Sequence, residues 1–210
     1  MAFTYNLIDF VLHVDKYVGM MIENFGIFTY LILFAIIFLE TGLVITPFLP
    51  GDSLIFVIGT FAAQDYLNVF FLYALFLAAA ILGDTLNYWI GNYFGVNVFE
   101  KSRFFKKEYL ERTKKFYRRH GKKTIILARF IPIVRTFAPF VAGIGKMHYG
   151  TFLSYNVIGG FIWVTLFLLG GYFFGNIPFV QENLTLIVYL IVLTSILPGA
   201  IEYLRNRWRR

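Results

Sequence analysis

The chain has 210 residues, 59% of them hydrophobic and 20% aromatic, with a mean hydropathy of +0.68 and a formal net charge of +7. A soluble domain of this size rarely carries so much apolar side chain, so the composition argues against one and for an integral membrane protein. There is no cysteine, which excludes disulfides, thiolate catalysis and cysteine-ligated metals.

The N-terminal stretch lacks a basic leader, and Asp9, His13, Asp15 and Lys16 interrupt its apolar residues, so a cleavable signal peptide is not expected. Residues 4–24 alternate apolar and polar positions at roughly helical spacing. Segment 1–24 is therefore predicted to be an amphipathic helix in or near the membrane interface, with Asp9, Asp15, Lys16 and Glu23 on its polar side.

Apolar sequence resumes at Phe25, is broken by polar and helix-breaking residues between Glu40 and Ser53, and returns from Leu54 to Ala63. Gly42, Pro47, Pro50 and Gly51 preclude one continuous helix, so 25–63 is predicted as a re-entrant hairpin. Residues 67–99 read as one long transmembrane helix. Segment 100–123 follows, and residues 101–123 hold eleven of the nineteen Lys and Arg. Within it, Lys106 to His120 has the pattern of an amphipathic helix on the cytoplasmic surface, with Phe116 and Tyr117 near the interface. A second broken apolar stretch, 124–147, contains Pro132 and Pro139 between apolar residues. Spans are predicted at 151–175 and 184–204, ahead of a basic tail at 205–210 that carries four more arginines. Apolar runs such as 67–90 and 184–201 are near the ~20 residues that cross a bilayer core.

Basic clusters also suit nucleic acid, but both of these flank apolar spans, where the positive-inside bias puts cations. Nucleic-acid binding is therefore not expected, and both clusters are assigned to the cytoplasm. Parity then constrains the topology. If 124–147 crossed fully, three crossings would follow the basic segment and the basic tail would end outside. If it enters and returns, the tail is inside. Broken backbone at membrane depth is tolerated where it is buried in protein or lines a wet cavity. By the same logic the first hairpin opens outward. The expected architecture is all-α and membrane-integral: two opposed re-entrant hairpins and about three transmembrane helices, with amphipathic interfacial helices. That is the pattern of an inverted repeat with a binding site where the broken helices meet.

Glu40 and Asp52 belong to the first hairpin, Arg129 and Arg135 to the second. An ionised side chain at the centre of a membrane helix costs roughly 2.5–3.5 kcal/mol on insertion scales, so such residues face a cavity or each other. A purely structural ion pair locking the hairpins together is one explanation. Another has the shallower groups snorkelling to the interface, Arg129 first among them. The functional alternative divides the labour by charge. Arginine offers a planar fork of donors that matches phosphate, and broken helix ends add free N–H groups. Burial favours a carboxylate's neutral form and a nearby arginine its charged form, so Glu40 and Asp52 suit proton coupling. Supporting polar residues are Thr46, Asp84, Asn87, Tyr88, Thr136 and Asn156. Asp84, Asn87 and Tyr88 share one helix face and read as an internal polar face rather than a separate site. The hairpin-breaking residues are Pro47, Pro50, Gly51, Pro132 and Pro139. His13, His120 and His148 lack metal-ligand spacing, so neither metal nor cofactor is expected. No nucleophile–base pair or P-loop is evident, which argues against an enzyme or an ATP-driven pump.

At these residues the chain resembles the DedA family, also called the SNARE-associated or VTT family, of bacterial membrane proteins. The matching segments are Glu40-Thr-Gly, Thr46-Pro-Phe-Leu-Pro-Gly-Asp-Ser53, Gly83-Asp-Thr-Leu-Asn-Tyr88, Arg119-His-Gly, Ala128-Arg-Phe-Ile-Pro-Ile-Val-Arg-Thr-Phe-Ala-Pro-Phe-Val-Ala-Gly143 and Tyr155-Asn-Val-Ile-Gly. They run through nearly the whole chain. The resemblance implies two opposed re-entrant hairpins in a multi-pass protein of the bacterial inner membrane. It also implies a role in moving lipid carriers, with undecaprenyl phosphate as substrate and dependence on the proton motive force. The family's membrane-embedded acids match Glu40 and Asp52, and its essential arginines match Arg129 and Arg135. A proton-coupled antiporter for ions or small solutes, and a non-transporting scaffold, are the rival functions. Homo-oligomerisation stays open.

Overall fold

The computed structural model describes residues 14–43, 51–101, 115, 117–191 and 193. Those residues are all-α, with two helices long and apolar enough to cross a membrane and several shorter apolar ones. Thr46, Pro47, Pro50 and Phe116 lie outside the described residues, as do most of the basic segment, the basic tail and the far end of the last expected span.

Helix α1 (Val14–Phe25) turns into α2 (Phe28–Gly42) through Gly26, whose φ of 50° suits glycine. The Thr29 hydroxyl donates to the Met21 carbonyl (2.9 Å) and fixes that corner. Along α2, Thr29, Leu33, Ile37 and Glu40 recur every three or four residues and form its buried face. The helix ends at Leu43, which is extended. The chain is helical again in α3 (Gly51–Ala63), nine of whose thirteen residues are buried. A tight turn through Asp65 (φ 63°) leads to α4 (Val69–Lys101). This is the long helix expected at 67–99.

After the 3₁₀ turn Gly121–Lys123 comes the short α5 (Thr124–Ala128), then a break, then α6 (Pro132–Ile144). The break has a local cause. Pro132 takes the first position of α6, where its missing N–H is harmless, and Ile131 before it is extended (φ −126°). Pro139 does not break the chain as the sequence suggested. It sits inside α6, which continues to Ile144. An interior proline removes one backbone hydrogen bond, and packed neighbours in a membrane bundle can compensate for that. Tyr117, expected at the interface, instead packs inward and donates to the Ala138 carbonyl (2.9 Å).

Helix α7 (Tyr149–Phe174) is the second long apolar helix, with one wide π turn at Thr165–Leu169. The short α8 (Pro178–Glu182) and helical residues 184–191 follow.

Small residues set the packing. Helix α4 lies against α2 and α6, while α7 lies against α5 with its first half and α3 with its second. A Cβ at Gly59 or Gly171 would overlap backbone across the α3–α7 seam, and one at Gly91 or Gly143 would do so across α4–α6. In a bilayer, lipid tails are as apolar as leucine, so close backbone approach of this kind takes over the role of the hydrophobic effect. The outer faces carry Phe70, Tyr93, Leu166 and Phe173, all exposed, as a lipid-facing surface requires.

Candidate functional site

Two buried ion clusters occupy the middle of the bundle. Arg135, in the first turns of α6, reaches both acids of the first hairpin. Its Nη1 donates to Asp52 Oδ1 at 2.7 Å and its Nη2 to Glu40 Oε1. Glu40 is in the last turn of α2 and is fully buried, and Asp52 is in the first turn of α3. Gly51 is required between them, because a Cβ there would overlap the Glu40 carboxylate.

Arg129, directly after α5, belongs to the second cluster. Its Nη2 donates to Asp84 Oδ2 on α4 and to Asn156 Oδ1 on α7, each at 2.5 Å. Asn156 in turn donates to the Ile81 carbonyl (3.1 Å), which orients its amide. Arg129 is 2% exposed, so it does not snorkel to the interface. Its aliphatic stem is closely covered by Gly159, where a Cβ would crowd Cδ and Nε.

Trp163 on α7 lies between the clusters. Its Nε1 donates to Asp52 Oδ1 (2.8 Å), the same oxygen that Arg135 holds. Its ring centroid is 5.2 Å from Arg135 Cζ and 5.9 Å from Arg129 Cζ, within cation–π range of both. Asn87, one turn along α4 from Asp84, donates to the Thr136 carbonyl of α6 (2.8 Å) and the Thr41 carbonyl of α2 (3.4 Å), tying both hairpins to the long helix. Thr136 is buried beside it.

The sequence-derived set thus divides. Glu40, Asp52 and Arg135 come together, and Arg129 joins Asp84 and Asn156. Tyr88 does not join either cluster. Its hydroxyl donates to the Met147 carbonyl, and its ring stacks on Phe152 in an aromatic group with Trp89 and Tyr149. Sequence reasoning underrated Asp84, which is an arginine partner, and missed Trp163. A usable signal existed for the latter: Trp163 is seven residues from Asn156, so the two share a helix face.

Three carboxylates meet two guanidinium groups here, which leaves one negative charge if all are ionised. Arg129 Nε and Nη1 and Arg135 Nε have no hydrogen-bond partner among the described residues. Such donors suit an anion's oxygens, and the acids suit a proton. No group of His, Asp and Glu among the described residues has the makings of a metal site.

Comparison with known proteins agrees with the geometry's membrane setting. The model of the VTT domain matches residues 49–173. "Protein DedA" of Escherichia coli K12 is 54% identical over 211 residues, covering 99% of this chain and 96% of that one. An uncharacterized membrane protein of Mycobacterium tuberculosis H37Rv is 43% identical over 174 residues, 81% of this chain and 76% of its own. Inner membrane protein YghB of Escherichia coli K12 is 35% identical over 156 residues, 73% and 71% of the two chains. No solved structure matches. With a domain model covering more than half of it and relatives matching along most of its length, this multi-span membrane protein belongs to the DedA family of VTT-domain proteins.

Proposed function

We propose that the protein is a proton-coupled lipid transporter of the bacterial inner membrane, a flippase that recycles undecaprenyl phosphate or a related phospholipid. The observation that carries this is the pair of buried arginines at the start of α6 and the end of α5, both neutralised by carboxylates and both against one indole ring. An arginine already held by carboxylates takes a phosphate only by exchanging partners. Protonation of Glu40 or Asp52 weakens their hold on Arg135 and makes its fork available. Deprotonation restores the ion pair and expels the anion. Proton uptake and phosphate binding are then one event, and the lipid's tail stays in the bilayer.

Two kinds of packing support opposed hairpins in an inverted repeat. Each long helix lies against the first arm of the hairpin before it and the second arm of the other: α4 on α2 and α6, α7 on α5 and α3. The second arms also make their closest approaches through the same spacing, Phe56 with Gly59 and Phe140 with Gly143. In such repeats, broken helices meet near the midplane, and alternating access follows from rocking one half against the other. In this topology the basic segment 100–123 and the tail 205–210 face the cytoplasm. The name of the YghB relative, an inner membrane protein, fits that location.

The test is translocation of undecaprenyl phosphate by the purified protein in liposomes, with and without an imposed pH gradient. Transport that the gradient accelerates is expected. Its absence in both conditions refutes the proposal. Proton flux that follows a soluble ion and ignores lipid phosphate would establish an antiporter instead.

A further inference from the structure

The geometry points to Trp163 as the positioning residue that couples the two ion clusters, so that a change of partner or protonation at Glu40, Asp52 and Arg135 is felt at Arg129 and Asp84. Three contacts converge on this one side chain, which is 0% exposed. Its N–H holds Asp52 Oδ1 at 2.8 Å, independently of Arg135. Its ring attracts both guanidinium groups, at 5.2 and 5.9 Å, although two like charges would otherwise separate. Both effects act on one rigid indole, which cannot satisfy a moved Asp52 without tilting its ring relative to the two arginines.

The backbone beneath it is suited to transmitting such a tilt. Trp163 lies two residues before the π turn at Thr165–Leu169. Such a turn replaces part of the regular hydrogen-bond ladder and is frequent at functional sites. Beyond it, Gly171 seats against Phe56 and Gly59 of α3, the helix that also carries Asp52. Helix α7 therefore grips α3 at two places on either side of an irregular turn. Two turns before Trp163, on the same face of the helix, Asn156 reaches Arg129. Movement of α3 relative to the second hairpin is thereby imposed on Trp163 first.

A tryptophan that merely fills space is the competing explanation. Trp163 does pack edge-on against Phe167 and sits in the apolar core. The two explanations differ in what the indole N–H and the remote cluster do. The charged groups around the indole are Asp52 from α3, Glu40 from α2, Asp84 from α4, Arg129 beyond α5 and Arg135 from α6.

The consequence for transport rests on the function proposed above, but a spectroscopic experiment does not need it. The chain has three tryptophans. In a Trp89→Phe, Trp208→Phe background, the emission of Trp163 is titrated in detergent between about pH 5 and 9. A pH-dependent change is expected, abolished by Glu40→Gln, which removes the other carboxylate on Arg135. Its midpoint is expected to move in Asp84→Asn and also in Arg129→Lys, which keeps the charge should the first variant fail to fold. A flat titration, or a midpoint indifferent to the Arg129→Lys change, overturns the inference even if the protein transports lipid. In liposomes, Trp163→Phe keeps an aromatic face but not the donor and is expected to slow translocation about tenfold, the size of one lost charge-assisted hydrogen bond, in a protein that still unfolds cooperatively. Wild-type transport rates in Trp163→Phe would count against the coupling. Absence of wild-type transport would refute the flippase and leave the titration standing.

Discussion

Asp84→Asn isolates the Arg129 cluster with a change of one atom. In the native protein the Arg129–Asp84 contact is 2.5 Å, with the two side chains 2% and 4% exposed. Removing one partner of a buried ion pair leaves the other uncompensated, at a cost of about 3–5 kcal/mol. Asn156 still accepts from the same Nη2, and the new amide oxygen remains an acceptor, so the lower end, about 3 kcal/mol, is the expectation. Arg129→Gln strands Asp84 and is expected to cost about the same. The double variant has no buried charge at this place, so its loss should fall short of the sum of the two by at least about 2 kcal/mol. Equilibrium unfolding of the purified protein in mixed detergent, followed by helical circular dichroism, measures all three. Additivity within about 0.5 kcal/mol would show that Arg129 is neutralised by some other group and would remove the second cluster from the site. An Asp84→Leu, Arg129→Met pair extends the reasoning. Well-packed apolar replacements of buried ion pairs are often neutral or stabilising. Such a protein is expected to fold well and transport nothing.

Three other substitutions probe the rest of the site. Arg135→Lys replaces a fork that reaches Glu40 and Asp52 with a single ammonium, and is expected to keep the fold while reducing translocation about a hundredfold, the effect of about two lost charge-assisted bonds. Asn87→Asp turns a donor toward the Thr136 and Thr41 carbonyls into an acceptor, and its cost should exceed that of Asn87→Ala, about 1–3 kcal/mol, when the two are compared by unfolding. Gly171→Ala puts a Cβ into the Phe56 backbone and should destabilise by about 1–3 kcal/mol. Native-like unfolding of Gly171→Ala would show that the α3–α7 seam yields more readily than its contacts imply.

Much of the site was legible because membranes make charge conspicuous. Glu40, Asp52, Arg129 and Arg135 stand out only against apolar neighbours, and the same residues in a soluble chain would pass unnoticed. The proline before the second arm was legible for a local reason, since Pro132 at a helix start is a property of one residue and its neighbours. Pro139 was not, because its tolerance depends on what packs around α6. The pairing was not legible either. Hairpin membership suggested that two acids face two arginines, yet Arg129 pairs with Asp84, 45 residues away on the long helix. That choice is fixed by where α4 and α5 meet α7, and helical spacing within one segment carries no information about it. Trp163 looked like any aromatic in an apolar run. Only its N–H, aimed at a carboxylate from another helix, distinguishes it from core filling.

The charge balance gives the proposed mechanism its direction. Both arginines are already matched by carboxylates, and one acid is left over. An anion-binding protein that simply captured phosphate would show the opposite excess, with cations awaiting a ligand. Phosphate can enter here only if protons neutralise acids as it arrives, because each added negative charge at membrane depth would raise a cost that the cluster is already bearing. Arg129 has two donors unmatched among the described residues, and in the proposed mechanism it offers the first contact while a neutral carboxyl at Glu40 or Asp52 releases Arg135. In the proposed mechanism the ion therefore moves from the less committed arginine to the more committed one as protonation proceeds, and the return of the carboxylates expels it. Proton coupling in this scheme is a requirement of electroneutrality rather than an added device. If proton uptake and lipid-phosphate binding prove separable in the purified protein, the exchange at Arg135 is not the transport step.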